Sequence, residues 1–149
     1  MRNLLKLLFL FIIGGLIYYG IELLWRGWSH WSMFILGGLC FVCCGLINEV
    51  LSWDTRLQIQ ALIGGGIITA LEFVTGCVVN LWMGWAVWDY SMKPLNLLGQ
   101  ICFFSSFMWC ALSVIAIMLD DYIRWIVFKE EKPRYCFRKK KPADLPSKG

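Results

Sequence analysis

Charged residues are scarce in this chain, and histidine is almost missing. Asp, Glu, Lys and Arg make up 16% of the 149 residues, whereas soluble domains average about 25%. The single histidine excludes a multi-histidine metal site within one chain. No Gly-rich phosphate loop, H-E-x-x-H zinc motif or G-x-S-x-G nucleophile elbow occurs. We therefore expect no catalysis by this chain alone, no metal and no cofactor.

Hydrophobic residues make up 59% of the sequence and fall into four long runs. A segment of about 20 apolar residues crosses a bilayer, and it does so as a helix because lipid offers no partner to backbone amides. The predicted spans are Leu4–Trp25, Trp31–Trp53, Leu57–Trp82 and Leu97–Leu119. The sequence thus predicts an all-α integral membrane protein. Its four transmembrane helices occupy residues 1–128, and a basic, unstructured tail follows at 129–149.

The distribution of Lys and Arg predicts the orientation of these helices, because cytoplasmic loops are rich in both. If both termini are cytoplasmic, that side receives 12 of the 14 basic residues, and the opposite side receives only Arg26 and Lys93. We therefore predict an N-in/C-in topology.

The tail includes a basic run that would attract anionic lipid headgroups, at about 1 kcal/mol per residue. We expect no nucleic-acid binding. This run is Arg138, Lys139, Lys140 and Lys141.

A tryptophan motif, W-x-G-W-x-x-W, occurs at residues 25–31 and again at 82–88, and it holds six of the nine tryptophans. A Gly pair and a Glu precede each copy, and Leu-Gly and Cys-Phe follow it in the same order. Such self-similarity predicts a duplicated unit. The units would be two hairpins, at about 4–53 and 57–128, related as a parallel repeat about the membrane normal. Chance matches within apolar spans are the alternative.

Each predicted hairpin carries a glutamate in its first helix, Glu22 and Glu72. A charge near the bilayer centre costs about 2.5–3.5 kcal/mol, so such a residue needs a partner, a polar cavity or a proton. Arg26 lies one turn after Glu22 on the same face and His30 follows, whereas no basic residue lies near Glu72 in the sequence. Two hypotheses stay open: a carboxylate pair that binds a cation or exchanges protons, and two side chains that fix helix packing.

The loop between the third and fourth spans is the most polar part of the predicted outer side. It offers a carboxylate, a phenol, amides and indole faces, which together can hold a cationic or sugar-like group. Alternatively, the loop is an aromatic belt in which Asn96 caps the fourth helix. The candidate binding residues here are Trp88, Asp89, Tyr90, Asn96 and Gln100.

Three acidic residues lie toward the predicted cytoplasmic ends of the spans. Asp120 and Asp121 end the fourth span and are expected to face water. Glu49 is expected to reach the inner interface, toward Arg56. The sequence therefore predicts structural positions for all three.

The run W-D-Y-S-x-x-P-x-N-x-x-G-x-I-C, at residues 88–102, resembles a family of bacterial membrane proteins known as the CmpB-like family of ABC-transporter type IV permeases. The resemblance covers roughly Ala61–Leu119, and it extends more loosely to Glu22 and Arg26 in the first hairpin. By position it highlights Glu72, Trp88, Asp89, Tyr90, Pro94, Asn96 and Gly99. It implies a transport role in the bacterial plasma (inner) membrane, with the ATPase on a separate chain.

The leading functional hypothesis is a small permease-like subunit that works as a homo-oligomer or hetero-oligomer. Glu22 and Glu72 would line a polar cavity that opens toward the outer face. One alternative is a non-transporting scaffold or regulatory subunit. Another is a membrane protein that binds lipid headgroups through its two tryptophan motifs.

Overall fold

Four long helical segments build the computed structural model, which describes residues 2–137. Each segment is long and apolar enough to cross a membrane, as the sequence predicts. A two-stranded antiparallel hairpin precedes the last helix. The elements are α1 (Arg2–Arg26), α2 (Trp31–Gly45), a short α3 (Ile47–Val50), α4 (Leu57–Gly76) with a π-helical continuation (Cys77–Trp82), β1 (Asn96–Leu97), β2 (Ile101–Cys102) and α5 (Phe103–Phe128).

The two chain ends of the helical domain lie together. Lys6, near the start of α1, forms an ion pair with Glu130, just after α5, at 2.5 Å. We call this the terminal end, and we call the opposite end, which holds the tryptophan motifs, the loop end. The N-in/C-in topology stays a prediction.

The last helix begins later than the sequence predicts. Its N-cap is Cys102, whose side chain accepts a hydrogen bond from the Ser105 amide at 3.4 Å, while the Cys102 amide donates to the Ser105 hydroxyl at 3.1 Å. Asn96 lies in β1 and caps no helix, so that prediction is wrong. The physical reason is local: Leu95 and Leu98 adopt left-handed backbone conformations, which a helix does not allow.

α1 and α2 pack antiparallel through two Gly pairs. Both helices contain the pattern aromatic-x-x-Gly-Gly-x-x-aromatic, at residues 11–18 and 34–41. A Cβ at Gly15 would lie 2.7 Å from the Phe34 carbonyl oxygen, and a Cβ at Gly38 would lie 2.7 Å from the Phe11 carbonyl oxygen. Glycine permits this backbone approach. The Gly pair of α1 thus faces that of α2.

α2 packs against α1, α4 and α5, whereas α1 reaches α5 through few side chains. The Tyr18 and Trp109 rings lie 5.9 Å apart, and the Phe9 and Phe128 rings lie 5.7 Å apart. α4 and α5 approach closely, because Ser113 donates to the Ala61 carbonyl at 3.0 Å. The bundle is therefore tight around α2 and loose between α1 and α5.

The two tryptophan motifs share one local feature and then diverge. Gly27 and Gly84 follow helix ends and have left-handed backbones, with φ of +75° and +68°. After the first motif α2 begins at Trp31, whereas Trp88 lies buried in a loop. Because the chain continues differently after the two motifs, the duplicated hairpin stays a prediction.

Asp120 and Asp121 are buried, at 0% and 4% exposure, so the prediction that they face water is wrong. Arg124 forms an ion pair with Asp120 and a second with Glu49 at 3.3 Å. Asp121 accepts hydrogen bonds from the Asn48 amide at 2.6 Å and from the Tyr135 hydroxyl. The partner of Glu49 is therefore Arg124, not Arg56.

Residues Lys129–Phe137, here named the return segment, fold back over the terminal end. Tyr135 donates to Asp121 at 2.9 Å, and the Leu57 amide donates to the Cys136 carbonyl at 2.8 Å. Burial raises the pKa of Tyr135, and the nearby Asp121 carboxylate raises it further. The sequence predicts an unstructured tail from residue 129, but these contacts order its beginning. The basic run Arg138, Lys139, Lys140 and Lys141 lies outside the described residues.

Candidate functional site

Glu72 lies on α4 with 2% of its surface exposed. The Tyr90 hydroxyl donates to Oε1 at 3.1 Å, and the Trp109 indole N–H donates to Oε2 at 2.7 Å. Both donors are neutral, and within residues 2–137 no Lys, Arg or His lies within ion-pair distance of this carboxyl group. A buried carboxyl group in this setting needs a proton or a cationic ligand.

The loop that carries Tyr90 is fastened to the end of α4 by amide side chains. Asn80, in the π-helical turn, donates to the Gln100 side chain at 2.8 Å and accepts from the Val87 amide at 2.7 Å. The Trp88 indole donates to the Gln100 carbonyl at 3.0 Å. π-helical turns are frequent at functional sites, and this one directs an amide toward the loop. The sequence-predicted residues Trp88 and Gln100 therefore belong to one hydrogen-bond network, and Tyr90 of the same loop bonds to Glu72.

Asp89 and Asn96 shape the exposed rim of this loop instead. The Ser91 amide and hydroxyl donate to the Asp89 carboxylate at 2.8 and 2.9 Å, and they hold the pKa of Asp89 below its usual range. Asn96 donates to the Lys93 carbonyl at 2.8 Å.

Burial raises the pKa of Tyr90, and the Glu72 carboxylate raises it further, so the phenol keeps its proton and remains a donor.

A cavity of about 110 Å³ lies between the four long helices, with Glu72 in its wall. The rest of the wall is mainly apolar and includes Tyr18 and Trp109. Ile21 of α1 and Ile115 of α5 also line it, and they are 49% and 61% exposed on the protein surface. The cavity therefore opens sideways between α1 and α5, toward lipid.

This geometry differs from the polar, outward-facing cavity that the sequence predicts. The difference arises because the Gly pairs hold α1 against α2, which leaves a gap beside α5. It also arises because the loop covers α4 from the loop end, through the Tyr90 and Gln100 contacts.

Glu22 is not part of the cavity wall. It forms an ion pair with Arg26 at 2.5 Å, and Arg26 also donates to the Val87 carbonyl at 3.0 Å. The His30 ring accepts a hydrogen bond from the Ser32 amide at 3.3 Å, as the N-cap of α2, and packs 5.1 Å from the Trp85 ring. Glu22, Arg26 and His30 thus connect the two tryptophan motifs. Glu22 and Glu72 have separate partners.

The sequence does not predict three residues of the site: Tyr18, Asn80 and Trp109. Asn80 does leave a signal, since it is an amide within an apolar run just before the second tryptophan motif. Tyr18 and Trp109 leave none, because aromatic residues are common throughout these spans and only packing selects the ones that meet Glu72.

The fold and this site define a small helical membrane protein with a buried carboxyl group beside a cavity that opens to lipid. The chain belongs to the family described as "Putative ABC-transporter type IV", which matches residues 9–133. This membership confirms the resemblance found at residues 88–102.

The chain is also similar to "Uncharacterized protein YcaI" of Escherichia coli (strain K12). The two are 26% identical over 115 residues, which cover 74% of this chain and 14% of that relative. The chain therefore corresponds to a small part of the longer protein. No solved structure matches.

Proposed function

We propose that the chain is a permease-like membrane subunit of an ABC-type transport system and that Glu72 is its ligand-binding group within the bilayer. One observation carries the proposal: among residues 2–137, the partners of the buried Glu72 are neutral, and Glu72 lies in the wall of a cavity that opens between α1 and α5. An intramembrane ionisable side chain of this kind marks a ligand or proton pathway by default.

Two further features support a transport role. The Tyr90 loop lies between Glu72 and the loop end, so its movement would open a route from the cavity to that side of the membrane. The looser contact between α1 and α5 gives the ligand a route from lipid. A bundle of four helices is thin, so we propose that the subunit works as an oligomer with further copies or with other chains.

The energy source would be a separate ATPase subunit, because the sequence has no phosphate-binding loop of its own. The terminal end is cytoplasmic in the predicted topology, and it presents the residues between α3 and α4 together with the return segment. We propose this surface as the contact for that subunit.

A non-transporting scaffold is the competing function, and it too has an observation in its favour. Both Glu72 oxygens already accept hydrogen bonds, and these bonds tie the loop and α5 to α4. In a scaffold, Glu72 would serve packing alone and no ligand would approach it.

Isolation of the tagged full chain with its partners from native membranes separates these functions. The measurement is ATP hydrolysis by the isolated assembly, compared for the wild type, Glu72→Gln and the control Lys93→Gln, at an exposed loop position away from the terminal end. We expect activity in the wild type and the control, and a marked loss in Glu72→Gln. An assembly without ATP hydrolysis, or one whose hydrolysis is unchanged by Glu72→Gln, would favour the scaffold.

A further inference from the structure

We infer that the cavity beside Glu72 binds a primary alkylammonium ion, which enters sideways from the bilayer and places its amine on the carboxylate. This inference rests on the proposed function and names the class of ligand for the same site. It follows from the charge of Glu72, the shape of the cavity and the composition of its mouth.

The charge of Glu72 requires a positive partner when the group is ionised. Each oxygen accepts one hydrogen bond, from Tyr90 or from Trp109. A carboxylate has about four acceptor sites, so about two remain for further N–H donors. An ammonium group supplies both the donors and the missing charge, whereas a neutral alcohol supplies a donor alone.

The aromatic rings beside Glu72 favour the same class of ligand. Tyr18 and Trp109 both line the cavity, and their rings lie 5.9 Å apart. The faces of such rings attract cations, by about 0.5–2 kcal/mol depending on desolvation. An anionic headgroup would not gain this attraction, and none of the cavity-lining residues that the structure describes is positively charged.

The size of the cavity limits how much of the ligand it holds. Its volume is about 110 Å³, somewhat less than the roughly 150 Å³ of an engineered protein cavity that binds benzene. The amine and a few methylene groups therefore fit inside. The remaining alkyl chain would lie at the mouth between Ile21 and Ile115, among the acyl chains of the bilayer.

Three probes of equal chain length test the inference: octylamine, octanol and octanoate. Each is titrated into the purified full chain in phosphatidylcholine nanodiscs at neutral pH, with empty nanodiscs to correct for partitioning. Binding is followed by tryptophan fluorescence and by thermal unfolding. For the wild type we expect octylamine to bind at least about tenfold more tightly than octanol, a difference of about 1.4 kcal/mol, and octanoate to bind least.

Two variants locate the binding within the protein. Glu72→Gln should remove the preference for the amine and leave octanol binding in place. Ala116→Leu fills the cavity, because Ala116 lines it, and should weaken both ligands. The matched control is Ala111→Leu, at an exposed position of α5 that lines a different groove, and it should behave as the wild type.

Equal binding of octylamine and octanol to the wild type would overturn the inference, and so would a preference for octanoate. An amine preference that survives Glu72→Gln, or octylamine binding that is unchanged in Ala116→Leu, would also overturn it. The assay contains no ATPase, so its result is independent of the test of the transport role: amine binding without associated ATP hydrolysis would keep this inference and reject the proposed function.

Discussion

The Trp109 indole donates to Glu72 across 2.7 Å, and this bond joins α5 to α4 within the membrane-spanning region. The second carboxylate oxygen accepts from Tyr90, which comes from the loop. Tyr90 and Trp109 lie 18 and 37 positions after Glu72 in the chain. One buried side chain thus connects two helices and the loop that covers them.

Trp109→Phe should destabilise the protein by about 1–3 kcal/mol, because it leaves a buried acceptor without its donor while retaining an aromatic ring. Reversible unfolding by SDS in mixed micelles measures the change. The matched control is Trp25→Phe, since Trp25 is 88% exposed, and its effect should stay within about 0.5 kcal/mol. Equal effects of the two substitutions would show that the bond to Glu72 contributes nothing.

Tyr90→Phe should loosen the loop without unfolding the helices, because it removes only the hydroxyl that binds Glu72. Cys102, which is 3% exposed and caps α5 next to the loop, reports the change. Its alkylation rate, followed by mass spectrometry, should rise in Tyr90→Phe. Tyr122→Phe, at a position of α5 that is 42% exposed, should leave the rate unchanged. An unchanged rate in Tyr90→Phe would mean that the loop is held without this bond.

Gly15→Ala and Gly38→Ala should each cost about 1–3 kcal/mol, because overpacking forces the helices apart. In both cases the new methyl group would meet a backbone carbonyl oxygen, which cannot rotate away. Gly20→Ala and Gly66→Ala are the controls, since neither added methyl group would meet an atom within 4 Å. SDS unfolding compares all four, and similar losses in the controls would argue against reciprocal Gly packing.

Arg124→Met should cost about 3–5 kcal/mol, because it leaves the buried Asp120 carboxylate without its cation. Arg134→Met removes an exposed ion pair with Glu131 and should cost about 0–1 kcal/mol. The double variant Asp120→Asn/Arg124→Met should recover part of the stability lost by Arg124→Met. If the double variant is less stable than Arg124→Met, the stability lost in Arg124→Met arises from the packing of the Arg124 side chain and not from the unpaired carboxylate.

The turn at Asp89 should persist into mildly acidic solution. The pKa of Asp89 lies below the ordinary value of 3.8, because Ser91 donates two hydrogen bonds to the ionised carboxylate. A lowered folded-state pKa means that the turn is fully stabilised above the ordinary value and loses this contribution as pH falls through the lower one. The NMR shift of the Ser91 amide measures the transition. A midpoint above 3.8 would contradict the role of these bonds.

The number and approximate positions of the long helices follow from the sequence, because an apolar run of sufficient length has few alternatives in lipid. The start of α5 does not, since it depends on the backbone of the preceding loop. Glu72 is conspicuous for the same reason, since a carboxyl group within such a run is costly wherever it points. The pairing of Glu22 with Arg26 is local, and helical spacing alone predicts it. Asp120 illustrates the limit of this reasoning. Its burial depends on its ion pair with Arg124 and on the close approach of Gly45 of α2, and neither can be read from its place at the end of a span.

The sequence by itself determined that this chain has four helices long and apolar enough to cross a membrane, that Glu72 lies within one of them, and which family the chain belongs to. Only the tertiary structure decided which groups meet that carboxyl and where its cavity opens. Tyr90 and Trp109 reach Glu72 because α4, α5 and the loop converge there. The cavity opens to lipid because the Gly pairs hold α1 against α2 and away from α5. Apolar composition sets how long a helix must be, whereas close packing between helices sets where the gaps remain.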